Sequence, residues 1–225
     1  MLVCERMSRH PVTVRDDVSI TEALKVMREN QVRRLPVLDG EGRMVGIVSE
    51  KDLLYASPSP ATSLSIYELH HMLTHLKVSE LMTTEVRTVA PDIPLEEAAR
   101  IMADTKLGGL PVMENGKLVG IITETDIFKV FLELLGAREK GLRLTIESPE
   151  RKGEIARLTT EIARLGGNIL ALGTFLGDDP TTGVVTVKIE DVPLEQIEAA
   201  SEEMDLELLD TRYEQESPEP NARLQ

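Results

Sequence analysis

Two short strings in this chain place a hydroxyl and a carboxylate three residues apart. They are Ser49-Glu50-Lys51-Asp52 and Thr123-Glu124-Thr125-Asp126. Each follows an apolar run that predicts a buried strand and opens a predicted helix, where backbone N–H groups, the positive helix end and the hydroxyl would converge. A phosphate suits that position, and the aspartate could accept hydrogen bonds from both hydroxyls of a ribose. The simpler interpretation is a helix cap, in which the same side chains serve only the helix start.

A second chemical feature precedes two Leu-Pro-Val segments. Arg33 and Arg34 stand before the first segment, and Gly108 and Gly109 stand before the second. Adjacent arginines can each bind phosphate oxygens through paired hydrogen bonds, whereas two glycines offer only N–H groups and space. The alternative is that the arginines are ordinary solvated surface charges.

Both features occur twice because the chain carries one pattern twice. LPVLDGEGRMVGIVSEKD recurs as LPVMENGKLVGIITETD, at an offset of 75 residues up to Pro36 and Pro111 and of 74 residues from Gly46 and Gly120 onward. The lost residue falls in a glycine-rich turn, where a change of length is tolerated. Two copies of one supersecondary unit are expected to pack face to face about a pseudo-two-fold axis.

Each copy is predicted to form the order βαββα. Apolar residues at i, i+3, i+4 and i+7 from Ile20 and from Leu95 predict one amphipathic helix in each copy. Apolar runs on both sides of residues 39–42 and 114–116 predict two hairpins. Between the copies, residues 57–78 predict a proline-containing loop and a helix.

The pattern changes between the glycines at 136 and 141. Residues 141–213 alternate as strand, helix, strand, strand, helix and strand, which is the ferredoxin-like order βαββαβ. The final residues 214–225 are too polar to pack and are predicted to be disordered. The expected fold class of the whole chain is therefore α+β.

The duplicated unit resembles a pair of cystathionine β-synthase (CBS) motifs, at residues 1–56 and 79–136. The matching features are the Leu-Pro-Val segments and the two strings that run from a glycine through two apolar residues and a hydroxyl to the aspartate. Residues 141–213 resemble an amino-acid-sensing ACT domain. The residues that carry this second resemblance are Gly153, Asn168 and Ile169. A CBS pair followed by an ACT domain is the layout of acetoin-utilisation B-type proteins.

In the CBS family, the phosphate and ribose ends of one cleft come from opposite motifs. The resemblance therefore implies two clefts for adenine nucleotides such as AMP or ATP, or a related adenosyl ligand, bound as effectors and not as catalytic cofactors. One cleft would contain Val12, Arg33, Arg34, Thr123 and Asp126. The other would contain Ser49, Asp52, Arg87, Gly108 and Gly109. The arginine pair predicts that the cleft with Asp126 binds the more highly charged nucleotide, or binds it more tightly.

For the ACT-like segment, the resemblance implies an amino-acid effector at Gly153, Asn168 and Ile169. The alternative is a dimerisation module without a ligand, because a four-stranded sheet exposes an edge that a second copy can extend. The whole chain is expected to act as a homodimer.

The composition narrows the classes of function. A net charge of −14 and a pI near 4.8 oppose a phosphate-backbone footprint, so no nucleic-acid partner is expected. No apolar run reaches the roughly 18 residues of a membrane span and the first ten residues lack a secretory signal, which predicts a cytoplasmic protein without a membrane partner. Cys4 is the only cysteine, so no internal disulfide is expected. His71 and His75 have zinc-ligand spacing, but nothing nearby completes a site and no metal is predicted.

These features predict a non-catalytic regulatory protein whose nucleotide occupancy changes the state of an unknown partner protein. Serine, histidine and aspartate occur, but no nucleophile elbow, HExxH or P-loop string brings them together. Two alternatives stay open. One is a ligand-free scaffold or regulatory subunit that docks an enzyme of acetoin or acetate metabolism, and the other is a small enzyme with an unrecognised site.

Overall fold

The computed structural model describes residues 1–56, 75–177, 179 and 181–215. The chain divides into two compact units, Met1–Ile127 and Phe128–Gln225. Most of the predicted loop and helix at 57–78, and most of the predicted disordered tail at 214–225, lie outside the described residues.

The first unit contains one pattern of helices and strands in two copies. Its helices are α1 (Val3–Arg6), α2 (Ile20–Glu29), α3 (Glu50–Tyr55), α4 (Leu95–Thr105) and the start of α5 (Glu124–Leu134). Its strands are β1 (Ser8–Arg9), β2 (Val14–Arg15), β3 (Arg34–Leu38), β4 (Met44–Ser49), β5 (Gly109–Glu114) and β6 (Lys117–Thr123). A short 3-10 helix, Val78–Glu80, has in the second copy the place that α1 has in the first.

The two predicted amphipathic helices are α2 and α4, and their burial confirms the prediction. Residues three and four apart share one face of a helix, and that face is the buried one in both cases. The buried residues are Ile20, Ala23 and Met27 of α2, and Leu95, Ala98 and Met102 of α4. Those of α2 pack with Leu35, Val37 and Val48 of the neighbouring sheet, whose strand order is β2-β3-β4.

Each copy contributes its first extended segment to the sheet of the other copy. β1 pairs antiparallel with β6, with Ser8 opposite Ile121, so the sheet of the second copy has the order β1-β6-β5. The reciprocal contact is an antiparallel bridge between Thr83 and Ile47. Thr83 is the equivalent of Ser8, and Ile47 is the equivalent of Ile121. The exchange therefore relates the two copies by a pseudo-two-fold axis, as the duplication predicts.

Two glycines make this exchange sterically feasible. A Cβ atom on Gly46 would lie 2.5 Å from Met82 Sδ and 3.0 Å from the carbonyl oxygen of Thr83. A Cβ atom on Gly120 would collide with Met7 Sδ and would lie 3.1 Å from the carbonyl oxygen of Ser8. Only a residue without a side chain allows the opposite copy to approach so closely.

The second unit has the predicted ferredoxin-like order. Its elements are β7 (Gly141–Pro149), α6 (Glu154–Arg164), β8 (Asn168–Leu176), β9 (Thr182–Glu190), α7 (Leu194–Glu203) and β10 (Glu207–Glu214). The strands form one antiparallel sheet in the order β10-β7-β9-β8. Alternate residues of β7 and β9 pack with Leu158 and Ile162 of α6 and with Ile197 of α7 in one hydrophobic core.

The last strand is longer than the apolar pattern predicts. Glu214, the first residue of the predicted tail, is the final residue of β10 and pairs with Gly141. Its carboxylate accepts a hydrogen bond of 2.6 Å from Lys188 Nζ, which also donates to the carbonyl oxygen of Gly136 at 2.9 Å. Lys188 is only 1% exposed. A buried ammonium needs such partners, so this contact accounts for the ordering of a polar strand end.

Candidate functional site

The first unit contains two cavities of similar size. The first, here called the Asp126 cleft, has a volume of about 360 Å³. Its lining is Ser8, Arg9, His10, Pro11, Val12, Gln31, Val32, Arg33, Arg34, Ile121, Thr123, Thr125 and Asp126. The second, the Asp52 cleft, has a volume of about 440 Å³. Its lining is Arg34, Ile47, Ser49, Lys51, Asp52, Thr83, Glu85, Val86, Arg87, Lys106, Leu107, Gly108, Gly109 and Pro111.

The two clefts are copies of one site. Almost every position that lines one cleft has its counterpart, at the offset of the duplication, in the other. Each cleft also takes its aspartate from one copy and its basic or glycine segment from the opposite copy. The structure thus brings together the ten residues predicted from the sequence, in the two predicted sets. Their role in binding a ligand stays a prediction.

The hydroxyl and carboxylate of each string are hydrogen-bonded to each other. Ser49 Oγ donates to Asp52 Oδ2 at 2.6 Å, and the Ser49 N–H donates to the same oxygen at 3.0 Å. Thr123 Oγ1 and the Thr123 N–H donate to Asp126 Oδ2 at 2.7 and 2.9 Å. The capping part of that interpretation is therefore correct for both strings. It does not exclude a ligand, because both aspartates also line a cavity.

The helix starts offer a phosphate fewer backbone N–H donors than the sequence suggests. The N–H of Glu50, the first residue of α3, donates to the carbonyl oxygen of Arg33 at 2.9 Å. The N–H of Glu124, the first residue of α5, donates to the carbonyl oxygen of Gly108 at 3.2 Å. These equivalent bonds use one of the groups expected to bind phosphate. They instead anchor the arginine and glycine segments beside the aspartates.

Arg34 does not belong to the Asp126 cleft alone. It is half-buried at the start of β3 and lines both cavities. Its guanidinium lies against Gly108, with Cζ 2.6 Å from the position that a Cβ on Gly108 would take. Its Cδ lies 3.6 Å from the corresponding position on Gly109. The structure therefore places Arg34 in its predicted cleft and also extends its side chain over the glycines of the other cleft.

The formal charges of the two linings are equal. Three arginines face one aspartate in the Asp126 cleft, and four cations face two carboxylates in the Asp52 cleft, so both have a surplus of two positive charges. The residues that sequence reasoning missed are Arg9, His10 and Gln31 in the first cleft, and Lys51, Glu85 and Lys106 in the second. The offset could not have found them, because the ten predicted residues already form five pairs that are related by it. The linings give no charge-based reason for the Asp126 cleft to prefer the more highly charged nucleotide.

The three effector residues predicted for the second unit do not share a cavity. Gly153 is the exposed N-cap of α6 with a φ of +93°. Asn168 donates through Nδ2 to Glu190 Oε1 at 2.7 Å, and Ile169 packs against the hydrophobic core. These are local structural roles. A cavity of about 280 Å³ does lie near Gly153, but it is lined by Ser148 and Pro149 at the end of β7, by Glu150 and Arg151 after it, and by residues of α6, β8 and β9.

Two further classes of site can be addressed for the described part of the chain. Among those residues, no group of three or more His, Cys, Asp or Glu side chains is placed to hold a metal ion. His71 lies outside the described residues. No described helix has both the length and the apolar character needed to cross a membrane.

The first unit is a duplicated α/β module with exchanged strands and two equivalent clefts. The family model for the CBS domain matches residues 3–59 and 78–133, and the chain belongs to this family. The match ends at residue 133, before the ferredoxin-like segment that begins at Gly141. For that segment the structure shows the ferredoxin-like topology, and the ACT assignment stays a prediction.

Several relatives show the same module. A CBS domain-containing protein of Dictyostelium discoideum is 34% identical over 136 residues, which are 60% of this chain and 94% of that protein. A candidate acetoin utilization protein (AcuB) from Vibrio cholerae has a TM-score of 0.51 and 33% identity, over 60% of this chain and 93% of that one. CBSX2, solved in complex with AMP, has a TM-score of 0.48 and 33% identity, over 58% and 96%. Of six other curated relatives, the chain spans only 22% to 59% of the length.

Proposed function

We propose that this chain is a non-catalytic regulatory protein that binds an adenine nucleotide, or another adenosyl ligand, in each of its two clefts. The observation that carries the proposal is the equivalence of the clefts. Each presents a hydroxyl and a carboxylate from one copy and phosphate-binding groups from the other, around a cavity in the size range of small-molecule sites.

The aspartates are the proposed ribose-binding residues. The cap bonds of both strings use Oδ2. In the Asp52 cleft, Oδ1 of Asp52 accepts no bond from the described residues, so it is available to the two vicinal hydroxyls of a ribose. Because Ser49 holds the carboxylate in place, the oxygen is oriented before the ligand arrives, which lowers the entropic cost of binding.

Cations from the opposite copy are the proposed phosphate-binding residues. Arg33 lines the Asp126 cleft, and Arg87 and Lys106 line the Asp52 cleft. A ligand whose ribose contacts the aspartate and whose phosphate contacts the cations must bridge the two copies. Binding would therefore favour one relative arrangement of the copies, which is the property that a regulatory module requires.

The remaining functional predictions rest on the sequence alone. They are an amino-acid effector in the second unit, a homodimer, a cytoplasmic location and an unidentified regulated protein. Acetoin metabolism belongs with them as a proposed context. The scaffold alternative is tested together with the nucleotide proposal, because a scaffold would bind no nucleotide.

The test is isothermal titration of the full chain with AMP, ATP, NAD and S-adenosylmethionine. We expect two sites in the wild type and one site in Asp52→Asn or in Asp126→Asn. Asparagine keeps one oxygen for the cap but replaces the other with an NH₂ group that cannot accept from a ribose hydroxyl. Loss of a charge-assisted hydrogen bond should weaken the altered site by about 10- to 100-fold.

Glu50→Gln is the matched control, because it changes a neighbouring carboxylate to an amide outside both linings. It should leave two sites with unchanged affinity. Ligand binding should also raise the unfolding temperature by mass action. No detectable binding of any of the four ligands, in titration or in thermal unfolding, would support the scaffold instead. Two unchanged sites in a variant that carries both Asp52→Asn and Asp126→Asn would show that the aspartates do not bind the ligand.

A further inference from the structure

The side chain of Arg34 occupies the boundary between the two clefts. Its backbone begins β3, opposite Ser49 of the Asp52 cleft. Its guanidinium lies over Gly108, which lines that same cleft, while Arg34 also lines the Asp126 cleft. A single cationic residue therefore lines both cavities.

The duplication explains why this group is single. The equivalent of Arg34 in the second copy is Gly109, and the equivalent of Arg33 is Gly108. Neither glycine has a side chain. The space beside Gly108 is taken by the Arg34 guanidinium, with Glu124 Oε2 2.8 Å from the same Cβ position, and Arg34 Cδ lies 3.6 Å from the Cβ position of Gly109. A methyl group on Gly108 would collide with Arg34 Nη2, so the glycine is what allows the arginine to reach the second cleft. Among the residues that line the clefts, Arg34 alone lines both.

We propose that Arg34 is an anion-binding residue shared by the two clefts and that it makes their occupancy by phosphate-bearing ligands mutually antagonistic. The inference rests on the proposed nucleotide function and adds a regulation to it. A guanidinium pairs best with one phosphate at a time through its planar fork of donors. The first phosphate would draw Arg34 towards its own cleft, and the second phosphate would bind without it.

The expected coupling is a weakening of the second binding event by about fivefold or more, the usual lower range for coupled sites. The coupling should depend on the phosphate. AMP should show it, whereas adenosine, which lacks the charge that Arg34 recognises, should fill the two clefts independently.

Titration with AMP and with adenosine tests this on the full chain. Asp52→Asn and Asp126→Asn, which each leave one cleft intact, give the affinity of each cleft alone. For the wild type, we expect the product of the two stepwise association constants for AMP to fall short of the product of the single-cleft constants by about fivefold or more. Arg34→Met keeps an unbranched side chain without the guanidinium and its charge, and there the two products should agree.

Arg33→Met is the matched control, since Arg33 is the adjacent arginine and lines only the Asp126 cleft of the two. It should weaken AMP in that cleft but leave the coupling. Thermal unfolding of each variant verifies that it is folded. Independent AMP binding in the wild type, or coupling that persists in Arg34→Met, would overturn the inference and leave the nucleotide function standing. Absence of AMP and adenosine binding in the wild type would overturn both.

Discussion

Replacement of Gly120 by alanine tests the exchange of strands between the copies most directly. The new methyl group would collide with Met7 Sδ, and it would lie 3.0 Å from Met7 Cγ and 3.1 Å from the carbonyl oxygen of Ser8. Both neighbours come from the opposite copy, next to or within β1. The variant should therefore push β1 away from β6 without changing any other contact of Gly120.

The expected cost follows from what can move. A methionine side chain is flexible and can leave, but the Ser8 carbonyl is backbone and moves only with β1. Forcing one extra methyl group into such a packed contact should lower the free energy of unfolding by about 2 kcal/mol. For a cooperative unit of this size, that corresponds to a fall in unfolding temperature of about 5–10 °C.

The assay is urea and thermal unfolding followed by circular dichroism. Gly40→Ala is the matched control, because Gly40 has nothing within 4 Å of its Cβ position and does not have a positive φ. It should change the free energy of unfolding by less than about 0.5 kcal/mol. Met7→Ala combined with Gly120→Ala should cost less than the two single changes together, by about 1 kcal/mol. The double variant removes the atoms with which the methyl group collides.

Two results would refute the reasoning. One is a Gly120→Ala variant whose unfolding temperature stays within about 1 °C of the wild type, since a contact this close should lower that temperature measurably. The other is strict additivity of Met7→Ala and Gly120→Ala, which would mean that the two residues are not in contact. Gly46 and Met82 form the equivalent pair in the other copy and should behave in the same way.

Two further predictions concern stability. Lys188→Met should destabilise the second unit by about 2 kcal/mol in urea unfolding, because it leaves the Gly136 carbonyl and the Glu214 carboxylate without their buried donor. Adding Glu214→Gln should recover part of the lost stability. No recovery would contradict the pairing of Lys188 with Glu214. The backbone N–H of Arg43, and then its guanidinium, hold the pKa of Asp39 below its usual range. Because a lowered native pKa stabilises above the unfolded value, Asp39→Asn should be less stable than the wild type at pH 7, and the difference should close as the pH falls below about 4. Urea unfolding at pH 7, 5 and 3 measures this, and a difference independent of pH would contradict it.

Much of the architecture follows from patterns that lie within short stretches of the chain. The periodicity of Ile20, Ala23 and Met27 defines the buried face of α2, because a helix repeats every 3.6 residues whatever packs against it. The duplication likewise predicts two related copies, and the strand and helix order of residues 141–213 predicts the observed sheet. The assignment of residues to each cleft came from resemblance to the CBS family. The structure agrees with it in placement because the two copies do pack face to face.

Local patterns could not reveal contacts between residues far apart in the sequence. Three such contacts depend on packing between strands and copies. They are the hydrogen bond from the Glu50 N–H to Arg33, the path of the Arg34 side chain across Gly108, and the positive charge that Lys51 and Lys106 add to the Asp52 cleft. An arginine has the same helix and strand preferences whichever way its guanidinium turns. Its direction is decided by the space that its neighbours leave, and that space exists only after the two copies have come together.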